Sequence, residues 1–149
     1  MATHDLSEIW IALRSALLAD ATLTGLLASN TSIYRGEPHA EVAFPHIVID
    51  EGPDNPQTSR SFTGLWRPDL TVTVYAVDRD RCEAIVAVLD ERWTIPINKT
   101  DAVVSTNLRL TQLRRSGKSG PVPMRILNSN KSLWQATTFW QTRVSRKST

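Results

Sequence analysis

Few side chains in this sequence stand where they could do chemistry. Gly117-Lys118-Ser119 matches the end of a phosphate-binding loop. That loop needs a second glycine where Gln112 stands. It also needs a following helix whose free N–H groups hold the phosphate, and Gly120-Pro121-Val122-Pro123 follows instead. His4, His39 and His46 lack metal-ligand spacing, and the lone Cys82 cannot complete a zinc site. Cys82 falls on an apolar helix stripe, which suits a small core residue better than a nucleophile. Asp50-Glu51 and Asp90-Glu91 are adjacent carboxylates. Neighbours on a strand point to opposite faces and neighbours on a helix diverge, so neither pair forms an acid/base couple. The sequons at Asn30, Asn98 and Asn130 mean little without a secretory route. No catalytic residue, cofactor or metal is expected.

Charge is the stronger signal. The chain has 149 residues and a net charge of +2. All fifteen acids lie in residues 1–101, beside eight Lys or Arg, which gives −7. Residues 102–149 hold no acid and nine basic residues: Arg109, Arg114, Arg115, Lys118, Arg125, Lys131, Arg143, Arg146 and Lys147. A division this sharp implies an electrostatic partner, unless the fold mixes the two halves in space.

The elements that position these charges start with residues 70–93. Leu70, Val72, Val74 and Ala76 alternate with Thr71, Thr73 and Tyr75, the period of a half-buried strand. Cys82, Ile85, Val86, Leu89 and Trp93 then recur at helical spacing. Asp78 or Asp80 suits the N-cap, and Pro96 stands just past the end. So short a link folds the helix back onto the strand, with Val72 and Val74 against Ile85 and Leu89. Each fully buried aliphatic side chain there contributes about 1.5–3 kcal/mol.

Leu6, Ile9, Trp10, Leu13, Leu17 and Leu18 make an N-terminal helix stripe, with Asp5 and Glu8 as a capping pair. A short second helix is expected from Asp20 or Thr22, carrying Leu23, Leu26 and Leu27. Ile33–Arg35 and His46–Asp50 read as strands. Residues 52–64 read as the tip of a long hairpin. Pro68 marks an edge or bulge in the returning strand. Residues 102–115 are expected as one strand, bulged or ending near Thr111. Residues 117–130 are rich in Gly, Pro, Ser and Asn and are expected as a second long loop. In the last strand, 133–144, Trp134, Ala136, Thr138, Trp140, Thr142 and Val144 share a face that Phe139 opposes. The expected fold is α+β: an antiparallel, possibly mixed sheet, with the N-terminal and central helices on one face. Length argues for one domain spanning residues 1–149. No apolar run is long enough to cross a membrane, and the first residues are not a basic leader, so synthesis in the cytoplasm is expected.

Three stretches carry a family resemblance. Leu17-Leu18-Ala19-Asp20-Ala21-Thr22-Leu23, Phe44-Pro45-His46-Ile47-Val48-Ile49, and Leu70 to Ala76 followed by Cys82-Glu83-Ala84-Ile85-Val86 together resemble the tail terminator (tail completion) proteins of long-tailed bacteriophages. The resemblance covers roughly residues 6–93 and, weakly, the last strand. It implies a structural virion protein of tail or neck, without chemistry, made in the host cytoplasm. Such proteins form a ring, commonly a hexamer. The ring stops tail-tube growth and meets the head–neck connector. The implied partners are other copies of the chain, the tail tube protein and the connector. DNA would pass through the ring without sequence-specific binding. The basic last third and the Arg67-Pro68 break have no counterpart in the family pattern. A neck or head–tail joining protein is the nearest alternative. A nucleic-acid-binding domain is the alternative of a different class, because Trp134, Phe139, Trp140 and Arg143 interleave aromatic and basic groups.

Candidate partner-binding residues follow. Asp54, Gln57, Arg60 and Phe62 lie on the 52–64 tip, expected as a contact arm. Arg114, Arg115, Lys118, Arg125 and Lys131 lie on the basic third, with the Lys118–Lys131 loop expected at the channel wall. Arg109, Arg114, Arg115 and Arg143 are expected to meet acids of residues 1–101, within or between subunits. Five tryptophans exceed the needs of one small core, so one or two are expected at an interface.

Overall fold

A computed structural model describes residues 7–36, 38, 42–51, 65–93, 103–125 and 132–146. The apolar spacing of the first stretch builds α1 (Ser7–Leu18), whose Ile9, Trp10, Leu13 and Leu17 are buried. Asp20 caps α2 (Ala21–Thr24): its carboxylate accepts the Thr22 and Leu23 N–H groups at 3.0 and 3.2 Å. Then come β1 (Ile33–Arg35), β2 (His46–Glu51), β3 (Leu65–Trp66) and β4 (Asp69–Ala76). Helix α3 (Arg79–Trp93) follows directly. Its N-cap is Asp78, whose carboxylate accepts the Asp80 N–H at 2.9 Å. The chain closes with β5 (Val103–Val104), β6 (Leu108–Arg125) and β7 (Ser132–Arg146).

The sheet order is β1-β2-β4-β7-β6-β5, with β3 also paired to β7. Only the β1–β2 pair is parallel, so the sheet is mixed. The expected hairpin stem is present as β2 against β4, with His46 opposite Tyr75 and Glu51 opposite Leu70. Its tip, 52–64, lies outside the described residues. Pro68 sits between β3 and β4, past the last β2 partner, and its carbonyl accepts the Thr142 hydroxyl at 2.5 Å.

One apolar cluster fills the space between helices and sheet. Leu70, Val72, Val74 and Ala76 of β4 and Ala136, Trp140 and Val144 of β7 join Ile85, Val86 and Leu89 of α3 and the buried residues of α1 and α2. The expected β4–α3 packing is therefore present. Two buried threonines satisfy polar groups on this face. Thr138 donates to the Val72 carbonyl at 3.2 Å and accepts the Trp140 indole N–H at 2.8 Å. The alternate side chains form the outer face, where Phe139 is 42% exposed. There the His46 ring stacks on Tyr75 at 5.1 Å and lies 4.9 Å from Phe44, which makes it a packing residue.

Two expectations about the C-terminal third need correction. Residues 102–115 are not one strand: β5 and β6 make a hairpin turning at Ser105–Asn107. Residues 117–125 are not loop, because β6 runs on to Arg125 in register with β7. The turn-forming residues sit on a strand that β5 covers only at Arg109 and Leu110, so beyond those positions the described residues leave it open on one side. Such a position tolerates Pro121 and Pro123, because a missing N–H costs no ladder bond when it points away from the partner. Register shifts at 110/112, 115/117 and 119/122 absorb the rest. The first is the bulge expected near Thr111. Gly120, at φ 95°, lies in the last, and a Cβ there would come 2.6 Å from the Gln135 carbonyl oxygen.

Candidate functional site

The geometry of β6 sorts the basic residues of the last third onto two sides of the sheet. Arg115 pairs with Trp140 and Lys118 with Thr138, both core-face positions. They lie beside α3. Arg115 makes a salt bridge with Asp90. Lys118 is close enough to Cys82 for its charge to favour the thiolate, against burial, which dominates and pushes the thiol from 9.0 up to about 11. Glu83 adds to that rise.

Arg109, Arg114 and Arg143 lie on the other side. Leu108 and Leu110 are core residues, so Arg109 between them points outward. Thr142 and Val144 are buried on the core face, so Arg143 does the same. Leu113 is core, and Arg114 follows it outward, opposite Gln141. Arg109 pairs with Ser145, two residues from Arg143 on the same face, so the two arginines are diagonal neighbours. Arg67, between Trp66 opposite Val144 and Asp69 opposite Gln141, falls level with Arg143.

Arg109 and Arg143 share a feature that sets them apart. Both side chains are half-buried, and the Nε of each is fully enclosed without a hydrogen-bond partner. No salt bridge to either occurs among the described residues. A guanidinium offers five donors and cannot lose its charge, so an enclosed donor left unpaired costs about 1–3 kcal/mol or more. The expectation that Arg109, Arg114, Arg115 and Arg143 meet acids thus holds within the subunit for Arg115 alone among the described residues.

The other candidates divide by what is described. Asp54, Gln57, Arg60, Phe62 and Lys131 lie outside the described residues. Arg125 ends β6, and its side chain lies outside them too. Arg114 stands apart from Arg115 and Lys118, on the opposite side of the sheet. Of the tryptophans, Trp10 and Trp140 are core residues. Trp134 is half-buried under the Arg79 guanidinium, 5.7 Å from the ring centroid. Trp140 in the core removes one member of the stacking platform a nucleic-acid-binding reading needs.

Sequence reasoning named Arg109 and Arg143 singly and missed that they are neighbours. Each lies between core residues in its own strand, and that alternation was legible. Their proximity depends on the β6–β7 register, which the 110/112 bulge shifts.

No family model and no curated protein matches the chain. Solved structures do. A chain of the virion of a native gene transfer agent particle superposes with a TM-score of 0.68 at 18% identity, over 97% of this chain and 99% of that one. This chain shares its fold. A second solved chain matches with a TM-score of 0.55 at 14% identity, over 99% of both. Both likenesses extend over nearly the whole length of this chain.

Proposed function

We propose that this chain is a structural subunit of a phage-like virion, a tail terminator that forms a ring on the head-proximal end of the tail tube. The observation that carries the reading is the fold shared end to end with a chain from a gene transfer agent virion. The family resemblance of residues 6–93 supports the tail terminator in particular.

In this reading the ring is a head-to-tail hexamer, since a heterologous contact that closes gives a cyclic oligomer. One ring face meets the tail tube protein and the other the neck or connector protein. DNA crosses the channel without sequence-specific contact, and only a few basic residues line it. Residues 54–64 act as a contact arm between subunits.

Native mass spectrometry and negative-stain imaging of the purified protein test this. A closed ring of six subunits is expected, together with capping of tail tubes when the tube protein is present. Monomers or closed dimers under all conditions overturn the ring. A ring that binds only the connector favours the neck protein. Tight duplex binding at physiological salt, with no ring, favours the nucleic-acid-binding domain. Deleting 54–64 should leave folding nearly intact, because surface loop length changes stability little, yet stop assembly.

A further inference from the structure

We infer that the outer face of the sheet at β3, β6 and β7 is a docking surface for the phosphate backbone of duplex DNA, with Arg67 and Arg114 as the side chains that reach it. The inference rests on the ring proposed above, through which DNA passes, and adds which face of the subunit the DNA meets.

The face is argued from register. Arg143 stands on β7, with Arg67 level with it on one side. On its other side, Arg109 pairs with Ser145 and Arg114 with Gln141, each partner two residues from Arg143 and therefore on its face. Along β7 the patch spans roughly 13 Å at the strand rise, and two strand steps make it roughly 10 Å across. Four arginines share it with one acid, Asp69, opposite Gln141. Arg67 and Arg114 are exposed, and Arg109 and Arg143 are half-buried. No salt bridge reaches any of the four among the described residues. Like charges set side by side on a sheet destabilise it, and an anion on this face relieves that repulsion. Arg109 and Arg143 need no contact of their own, because their charge acts over a Debye length of about 8–10 Å.

The occupant is argued from charge density. Four arginines less Asp69 leave a net +3. A protein partner would have to crowd about three carboxylates into the same small patch against their own repulsion. A DNA strand carries one phosphate per about 3.4 Å of helix axis, so about four over the length of the patch. A second copy of this chain is a poor source of such acids. Among its described residues Glu8 closes a turn, Asp20 and Asp78 cap helices, and Glu51, Glu83 and Asp90 are held in salt bridges. Guanidinium forks match phosphate oxygens two at a time. Contacts to phosphate carry no sequence information, which suits DNA that only passes by.

The experiment uses the full chain. Anisotropy of a labelled duplex of about 30 base pairs measures affinity across about 50–200 mM salt. The variants are Arg67→Gln, Arg114→Gln, the two together, and Arg79→Gln, which removes one charge from the helix side of the sheet. Thermal melting checks folding, and native mass spectrometry reads ring formation separately. Each outer-face change should make the slope of log affinity against log salt shallower by about 1. Arg79→Gln should leave the slope as it is. An equal effect of Arg79→Gln, or unchanged slopes in the paired variant, overturns the inference and leaves the ring standing. Tighter binding of a labelled poly-glutamate peptide than of the duplex, lost in the paired variant, assigns the face to an acidic protein and overturns it. Rings lost in the paired variant at unchanged duplex affinity make the face a subunit contact and overturn it too. A wild type without rings, whose slope still falls with the two arginines, overturns the ring and upholds the face.

Discussion

Glu8 in α1 and Ser105 in the β5–β6 turn are joined by a hydrogen bond of 2.5 Å, from the serine hydroxyl to the carboxylate, across 97 residues of chain. The same carboxylate oxygen accepts the Asn107 backbone N–H at 2.9 Å, and the other accepts the Asn107 side-chain amide at 3.4 Å. One acidic side chain in the first helix thus closes the turn that starts the basic third. Glu8→Ala should destabilise the fold by about 1.5–3 kcal/mol, the range for hydrogen bonds to a charged group. Chemical denaturation with unchanged m measures it. A loss below about 0.5 kcal/mol would mean that the turn holds itself.

Gly120 supplies the second prediction. Its φ of 95° and the backbone oxygen 2.6 Å from an added Cβ leave no room for a side chain. Gly120→Ala should cost at least about 1–3 kcal/mol. Gly36 has φ 74° and nothing within 4 Å of its Cβ position, so Gly36→Ala should cost less, from backbone strain alone. Comparing the two melting curves separates strain from collision.

Cys82 gives a pH dependence. Burial favours the protonated thiol in the folded state, with a pKa of about 11 against 9.0 in the unfolded chain. The unfolded state therefore releases its proton first as pH rises. Stability should fall between about pH 9 and 11 and level off above. Lysines titrate in the same window, so the readout is the difference between wild type and Cys82→Ala, whose profile should fall less steeply. The folded thiol should also alkylate far more slowly than the urea-unfolded one at pH 8.

The Arg115–Asp90 bridge ties β6 to α3, but its side chains are 38% and 32% exposed. Water and salt screen such a pair, so a double-mutant cycle should give about 0.2–1 kcal/mol of coupling, shrinking with added salt. A coupling above about 2 kcal/mol would show that the pair is more enclosed than its exposure indicates.

Sequence periodicity alone placed β4, α3, α1 and β7, because each buries one face and repeats its apolar residues at the matching interval. The length of β6 was illegible for the opposite reason. Gly117, Gly120, Pro121 and Pro123 carry turn signals, and sequence cannot show that β7 lies alongside to hold them extended. The candidate site was half legible: alternation gave the outward direction of Arg109 and Arg143, while their adjacency came from a bulged register.

Among the described residues β6 is open on one side beyond Leu110, and this bears on how copies of this chain would join in the proposed ring. A long unpaired strand is a template, and a second molecule could add its own strand there and a third to that, giving a fibre without end. Beyond Leu110, β6 is kinked three times, carries two prolines, and bears Arg114, Arg115 and Lys118. Kinks, missing N–H donors and like charge each spoil backbone-to-backbone addition. The opposite margin, β1, is only three residues long. A chain guarded at both margins would leave any association to side chains, whose geometry can fix an angle between neighbours, and in the proposed ring a fixed angle is what lets a finite number of copies meet end to end and stop.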